Sequence, residues 1–229
     1  MTNYSASVAE LEKKVASEIS KVGPVVKRRM REFRRLGREG CTHFDFRPFL
    51  DVEYDSGIFS ELCFCILTAN STAKRGIEIQ RRLGDDGFSQ LSLERLTNEL
   101  KLAGHRFPNT RSKFIVEARK FSNIMGTLTN FNNTIEARDW LARNVKGLGW
   151  KEASHFLRNT GHEDVAILDR HVLSVMEDHG MIKKCSRALT RSRYMEAEKR
   201  LEPISRKFSI SPAELDLYLW HMKTEKVLK

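Results

Sequence analysis

The sequence contains few cysteines, and their spacing is not that of a metal site. The four cysteines of the 229-residue chain are Cys41, Cys63, Cys65 and Cys185. They form no pair of C-x-x-C motifs, the arrangement that structural zinc sites use. Cys63 and Cys65 also lie inside an apolar stretch with helical periodicity. We therefore expect reduced and mostly buried thiols, as in cytosolic proteins, and no bound metal at these residues.

Long apolar runs and alternating strand patterns are also absent. No stretch reaches the roughly 18 apolar residues of a membrane-spanning helix, and no charged-then-apolar signal peptide precedes the first helical pattern. No segment alternates convincingly between polar and apolar residues, and there is no internal repeat or low-complexity linker. These absences favour a soluble, cytoplasmic, all-α protein with no membrane partner.

Positive charge is the most informative part of the composition. The chain has 40 Lys and Arg against 30 Asp and Glu, a formal net charge of +10, and a pI near 9.6. Such an excess favours a polyanionic partner, most commonly nucleic acid. A generally basic surface on a thermally robust protein is the alternative. The length allows one good-sized core or two small lobes.

Apolar residues recur at helical spacing through most of the chain. The pattern from Val8 to Val22 predicts an amphipathic helix that Pro24 interrupts. The basic segment 27–38 predicts a second helix, with either a solvated or a DNA-flanking face. Segment 45–54 is aromatic and irregular, which indicates a loop over the core. Further helices are predicted over residues 58–68, 72–83, 93–100, 114–125, 135–145, 150–159, 172–176 and 194–201.

The last helix has a clear start signal. Ser211, Pro212 and Glu214 have the spacing of a capping box, with serine at the N-cap, proline at the first helical position and glutamate at the third. The pattern ends near Lys223, and a short tail runs to Lys229. Such a tail is normally frayed and dispensable, and nothing in the predicted core depends on it.

Two glycines separate the helical patterns 135–145 and 150–159. Glycine at Gly147 and Gly149 allows a tight turn and a close approach of the backbone to another surface. The second helix then begins with free N–H groups and a positive dipole end, which together bind phosphate well. The pattern indicates a helix-hairpin-helix that grips the DNA backbone without reading sequence. Because many helical hairpins turn on glycine, the motif alone is weak.

Two reactive side chains accompany this hairpin. Lys151 lies in the first turn of the second helix, where the helix dipole disfavours the ammonium form and so favours a nucleophilic amine. The apolar run 165–168 leads to Asp169, which we expect to cap the next helix and to face a developing positive charge. A surface lysine and a plain N-cap are the alternatives.

The segments Gly147-Leu-Gly-Trp-Lys-Glu-Ala-Ser154 and Ile167-Leu-Asp-Arg-His171 resemble the hairpin and catalytic aspartate of the helix-hairpin-helix DNA glycosylases. They are most similar to the archaeal-type (type 2) 8-oxoguanine DNA glycosylase/AP lyases. The resemblance covers most of the chain from about residue 58 onward. It implies a single glycosylase unit over residues 1–229, formed by two helical lobes with the active site in the cleft between them, and a hairpin at about 135–160.

The resemblance also implies a mechanism. The damaged nucleotide is flipped out of double-stranded DNA, Lys151 attacks C1′ of its sugar, and Asp169 stabilises the cationic sugar. The resulting Schiff base allows strand cleavage by β-elimination. No cofactor is required, although the carbonyls of Gly147 and Gly149 are expected to help hold a monovalent cation. The cysteines of an iron–sulfur loop, which some relatives carry, are absent.

Base recognition is implied for the end of the chain. In the family, the final helix and a terminal lysine close the pocket over 8-oxoguanine, which points here to Trp220, Asp216 and Lys229. Tryptophan can stack on a purine, and a carboxylate can accept its N–H groups. Core packing of Trp220 is the alternative.

Two further residues are candidate DNA contacts. Phe107, in a turn before proline, resembles the family's wedge that fills the gap left by the extruded nucleotide. An inward-packed phenylalanine is the alternative. Asn70, after an apolar helix, is a pocket or gap residue by analogy.

We expect a monomer that acts as a bifunctional 8-oxoguanine glycosylase/AP lyase. A related glycosylase for another oxidised base, or a DNA-binding hairpin protein without catalysis, is the alternative.

Overall fold

The computed structural model describes residues 2–184 and 189–229. In chain order, the elements of these residues are α1 (Thr2–Glu39), β1 (Cys41–Asp45), β2 (Glu53–Gly57), α2 (Ile58–Thr68), α3 (Ala73–Gln90), α4 (Leu93–Leu102), α5 (Pro108–Ala118), α6 (Ile124–Leu128), α7 (Thr134–Asn144), α8 (Trp150–Asn159), α9 (Arg170–Asp178), α10 (Arg191–Phe208) and α11 (Pro212–Thr224). The predicted helical fold class is confirmed. The expectation for Cys185 falls outside the described residues.

The chain divides into two compact units. The first unit contains the chain up to Met30, Glu163–Val227 and Lys229, and the second contains Arg31–His162 and Leu228. The second unit thus carries the glycine hairpin and Lys151, whereas the first carries Asp169 and α11.

The predicted interruption at Pro24 is wrong, because α1 continues through the proline. One apolar face of the helix is buried from Leu11 to Leu36, including Val22 and Val26 on either side of the proline. A proline inside a helix costs about 3 kcal/mol. Burying one such side chain contributes about 1.5–3 kcal/mol, so the burial of these two valines offsets the cost.

A small β-hairpin occupies the segment where no strand was predicted. β1 and β2 pair antiparallel with Cys41 opposite Gly57 and Asp45 opposite Glu53. Phe44 is fully buried and contacts Phe33 edge-on, with ring centroids 6.1 Å apart. Each strand has only five residues, and the sequence of β1, Cys-Thr-His-Phe-Asp, does not alternate between polar and apolar residues clearly enough to predict a strand. The predicted loop is therefore confined to the residues between the strands.

The apolar helix α2 is the core of the second unit, with every residue from Ser60 to Thr68 buried. Cys63 and Cys65 are buried as predicted, and burial raises the pKa of the Cys63 thiol well above its usual value. Cys41 is exposed. The buried carboxylate of Glu61 accepts a hydrogen bond of 2.6 Å from the Asn159 amide. This bond fixes the end of α8, the second helix of the glycine hairpin, against α2.

Two predicted helices have different bounds. α3 continues beyond residue 83 because Gly84, with φ of +60°, makes a kink and the helix then resumes. The helix predicted over 114–125 ends at Ala118 and is followed by a 3-10 turn, Arg119–Phe121, and by α6. There the Arg119 guanidinium donates hydrogen bonds to the carbonyls of Phe88 and Leu91.

The predicted capping box of α11 is half formed. The Ser211 hydroxyl accepts the Glu214 N–H at 3.1 Å, as predicted. The Glu214 carboxylate instead accepts a hydrogen bond from the Tyr218 hydroxyl. The tail beyond α11 is not frayed: Val227, Leu228 and Lys229 are 0, 2 and 5% exposed. The expectation that the core does not depend on the tail is therefore wrong for Val227 and Leu228, which are part of the hydrophobic core.

Candidate active site

The turn between α7 and α8 has the predicted hairpin geometry. Gly147 has a φ of +93°, a backbone conformation that residues other than glycine rarely adopt. A Cβ at this position would lie 2.8 Å from a ring carbon of Phe114. Gly149 is extended and is the N-cap of α8. Glycine at Gly147 therefore allows both the turn and the close packing of the hairpin against α5.

Sequence reasoning missed Glu152 in this hairpin. One oxygen of its carboxylate accepts the Gly149 N–H at 3.1 Å, and the other lies 3.0 Å from Nζ of Lys151. A glutamate three residues after an N-cap is the signal that could have revealed this contact. The backbone N–H of Gly149, the N-cap residue of α8, is therefore bonded to a carboxylate of the protein itself.

Lys151 lies in the first turn of α8, as predicted, and its side chain is 28% exposed. The amine is therefore accessible but held beside Glu152. The nearby Lys146, on the same hairpin, differs because its side chain is 62% exposed and pairs with Glu117 at 3.0 Å. The chain thus offers a matched pair of lysines, one largely covered and one largely solvated.

Asp169 caps α9, and both of its oxygens are engaged. One oxygen accepts the N–H groups of His171 and Val172 at 2.8 and 2.9 Å. The other accepts the indole N–H of Trp220 at 3.1 Å. The predicted cap is confirmed. The contact with Trp220 was not predicted, because these residues are 51 positions apart in sequence.

The extended segment before Asp169 is held by three side chains. Glu198 accepts the Ala166 N–H at 2.7 Å and Asp216 accepts the Ile167 N–H at 2.7 Å. The Tyr194 hydroxyl accepts the Leu168 N–H at 3.0 Å and donates to the Ala166 carbonyl at 2.8 Å. A buried backbone outside regular structure needs such partners. These bonds fix the position from which Asp169 begins α9.

The residues predicted to recognise the base have unequal surroundings. Trp220 is partly exposed, and its ring system and the His171 ring form a T-shaped pair with centroids 6.1 Å apart. Asp216 is 1% exposed and holds Ile167, as described above. Lys229 is buried. The structure therefore brings Trp220 to Asp169, and it places Asp216 one turn earlier on α11.

Phe107 and Asn70 both lie at helix boundaries of the second unit. Phe107 is the N-cap residue of α5 and is partly exposed, with the Arg106 guanidinium 5.0 Å from its ring centroid. Asn70 is exposed, follows the C-cap of α2 and has a φ of +59°, which asparagine tolerates better than most residues. The inward packing considered for Phe107 is thus only partial.

Within residues 2–184 and 189–229, no group of three or more His, Cys, Asp or Glu side chains is arranged to hold a metal ion. The same part of the chain contains no helix that is both long and apolar enough to cross a membrane.

The helical fold and its glycine turn define a helix-hairpin-helix protein, and comparison with known proteins specifies the family. The sequence model of the Ogg-HhH family, described as 8-oxoguanine DNA glycosylase, matches residues 26–210. The 8-oxoguanine DNA glycosylase/AP lyase of Aquifex aeolicus is 47% identical over 223 residues, covering 95% of this chain and 97% of the relative. The chain therefore belongs to the Ogg-HhH family of 8-oxoguanine DNA glycosylases.

Two solved structures of similar proteins support this family assignment. The 8-oxoguanine glycosylase/lyase of Methanocaldococcus jannaschii, in complex with a 15mer DNA containing 8-oxoguanine, matches with a TM-score of 0.84 and 40% identity over 96% of this chain and 100% of that one. The 8-oxoguanine DNA glycosylase of Thermotoga maritima matches with a TM-score of 0.85 and 42% identity over 96% and 99% of the two chains.

Proposed function

We propose that this protein is a DNA glycosylase with AP lyase activity that removes 8-oxoguanine from double-stranded DNA. The observation that carries the proposal is the hairpin of Gly147 and Gly149 with Lys151 in the first turn of α8, in a chain that belongs to the 8-oxoguanine DNA glycosylase family. We further propose that the protein acts as a monomer in the cytoplasm, where its DNA substrate is found.

Lys151 is the nucleophile in this proposal. The lone pair of its neutral amine attacks C1′ as the bond from C1′ to N9 breaks, and the base leaves with the bonding electrons and takes a proton. Opening of the sugar ring yields a Schiff base between Lys151 and C1′. Loss of a C2′ proton then expels the 3′ phosphate by β-elimination. Glu152, 3.0 Å from Nζ, is the carboxylate placed to accept the ammonium proton before the attack.

Asp169 supplies negative charge to the sugar as positive charge develops. Its carboxylate is held by two backbone N–H groups and the Trp220 indole. Charge stabilisation is most effective when the group needs no reorientation during the reaction. Three hydrogen bonds to one carboxylate provide that preorganisation.

DNA is gripped by the hairpin and by the residues at the two helix boundaries. The Gly149 N–H is already bonded to Glu152, so we assign the carbonyls of Gly147 and Gly149 to a monovalent cation that faces a phosphate of the substrate. The Gly149 carbonyl already accepts the Ala153 N–H at 2.9 Å, but a carbonyl has two lone pairs and retains one for a cation. Phe107 fills the gap left by the extruded nucleotide, and Asn70 contacts the same gap.

The base is recognised at α11 and the residues that follow. Trp220 stacks on the flipped purine while its N–H holds Asp169. Asp216 and Lys229 are the polar groups assigned to the edge of the base. Asp216 is fixed in place by accepting the Ile167 N–H, and a carboxylate can accept the N–H groups of a purine edge.

Borohydride trapping tests this function. A duplex with a single 8-oxoguanine should become covalently attached to the wild-type protein and to Lys146→Gln, but not to Lys151→Gln. The two variants each remove one hairpin lysine, so they are matched in charge. Trapping on a different oxidised base but not on 8-oxoguanine would assign another substrate. DNA binding without trapping by the wild type would identify a non-catalytic DNA-binding protein.

A further inference from the structure

His105 bridges the end of α2 and the start of α5. Its Nε2 lies 2.9 Å from the carbonyl oxygen of Leu67, and its Nδ1 lies 3.1 Å from the N–H of Phe107. Since a backbone N–H can only donate, Nδ1 is the acceptor and Nε2 carries the proton. The side chain is 5% exposed, and burial lowers the pKa of the imidazole, with Arg111 and Arg75 lowering it further. The neutral ring required by this bridge is therefore the favoured form.

Arg111 makes a second link between the same two helices. Its guanidinium donates a hydrogen bond of 2.7 Å to the carbonyl of Ala69, the residue directly before Asn70. The same group lies 5.9 Å from the ring centroid of Phe107 and 5.7 Å from that of Phe114. The side chain is 7% exposed. Arg111 thus touches the Asn70 turn on one side and the Phe107 ring on the other.

These links satisfy backbone groups that helix ends leave without partners. The carbonyls of Leu67 and Ala69 are at the C-terminal end of α2, and the Phe107 N–H is at the N-terminal end of α5. Phe107 has no side-chain cap of its own and adopts φ −129° and ψ 57°. The His105 ring accepts the N–H of Phe107 itself, so it holds the backbone conformation from which the Phe107 side chain projects.

We propose that His105 is a positioning residue for the wedge, holding Phe107 and the Asn70 turn in a fixed arrangement before DNA binds. The inference rests on the proposed function, because it assigns Phe107 to the gap in the duplex. A wedge that is already ordered loses less conformational freedom when it enters the base stack. His105 therefore favours extrusion of the damaged nucleotide, while the chemistry at Lys151 does not depend on it.

Two substitutions separate the two hydrogen bonds of His105. The Oδ1 of asparagine occupies nearly the place of Nδ1 and can accept the Phe107 N–H, whereas the Nε2 of glutamine reaches nearly the place of the ring Nε2 and can donate to Leu67. If the hydrogen bond to the Phe107 N–H positions the wedge, His105→Asn retains extrusion of the nucleotide close to the wild-type level. His105→Gln should lose as much as His105→Leu, about tenfold, the effect expected when one hydrogen bond is lost.

Extrusion is measured with a 2-aminopurine placed beside 8-oxoguanine, and base release is measured under single-turnover conditions. His162→Asn is the matched control, because it changes a histidine of the same unit whose Nδ1 lies near the Leu157 carbonyl and not near the Phe107 N–H. All variants should trap a preformed abasic site with borohydride as the wild type does. If the wild type itself fails to trap, the proposed function is wrong. If it traps and extrusion is the same in all three His105 variants, only the positioning role is wrong.

A double-mutant cycle with Phe107→Ala distinguishes positioning from general stability. If His105 acts through the phenylalanine, adding His105→Leu to Phe107→Ala should lower extrusion no further. Melting temperatures show whether each variant is folded. Additive losses in folded variants, or a His105→Gln variant that is more active than His105→Asn, would overturn the proposal.

Discussion

Replacing Asp169 with asparagine separates the capping task of this residue from its electrostatic task. The Oδ1 of asparagine can still accept the N–H groups of His171 and Val172, because asparagine is as good an N-cap as aspartate. The amide NH₂ then occupies the position of the second carboxylate oxygen, where it faces the Trp220 N–H. Two donors cannot bond to each other, so this hydrogen bond is lost while the amide oxygen caps the helix, and turning the amide to restore it would instead lose both cap bonds.

The cost to stability and the cost to rate should differ widely. Losing the Trp220 bond should lower the free energy of unfolding by about 1 kcal/mol, which lowers Tm by about 2–4 °C in a protein of this size. Losing a preorganised charge should lower the rate of base release by about 10²–10³-fold. A single-turnover assay on an 8-oxoguanine duplex and a thermal melt measure the two effects.

The variant Trp220→Phe completes the test. It retains an aromatic ring for stacking but removes the N–H that faces Asp169. Adding it to Asp169→Asn should recover part of the stability lost in Asp169→Asn alone, because the two donors no longer oppose each other. Base release within about threefold of wild type in Asp169→Asn would refute the electrostatic role. Strictly additive losses of stability would refute the hydrogen bond to Trp220.

Three further predictions concern Glu152, His105 and Lys229. Glu152→Gln removes the carboxylate beside Lys151 and should lower the single-turnover rate about tenfold. The control Glu117→Gln removes the partner of the solvated Lys146 and should not change this rate. Equal rates in the two variants would exclude Glu152 from proton transfer. Burial lowers the pKa of His105 in the folded protein below its usual value of 6.5. As the pH falls, the unfolded chain therefore takes up this proton before the folded protein does. The contribution of His105 to the free energy of unfolding is present above the usual pKa and is lost below it. His105→Asn should flatten the fall in Tm between about pH 7 and about pH 5, and an unchanged slope would assign the acid sensitivity to other groups. Deleting Lys229, which is 5% exposed, should impair discrimination of 8-oxoguanine from guanine but leave cleavage at a preformed abasic site nearly unchanged; equal effects on both substrates would place base recognition elsewhere.

Local sequence signals predicted much of the fold. Glycine, proline and capping residues indicated the starts of α8, α9 and α11, because these signals act within one helical turn. Pro24 misled for the opposite reason: the burial of Val22 and Val26 is a tertiary effect that outweighs the local cost. The β-hairpin was missed because its strands are short and largely polar.

In the candidate site, too, local features were predictable from the sequence and long-range contacts were not. Lys151 and Asp169 were singled out by their positions beside helix starts, and their catalytic roles were predicted from the family resemblance. The contact of Asp169 with Trp220 and the bridge from His105 to Leu67 join residues 51 and 38 positions apart. No spacing rule in one sequence reports such contacts. Glu152 is an exception, because its capping position was visible in the sequence.

The central claim is that Lys151 forms the covalent bond to DNA. The most direct measurement is to trap the wild-type protein on an 8-oxoguanine duplex with borohydride, digest both components, and locate the modified residue by mass spectrometry. The account predicts a reduced sugar adduct on the peptide that contains Lys151, with none on the peptide that contains Lys146. An adduct on any other amine would contradict it.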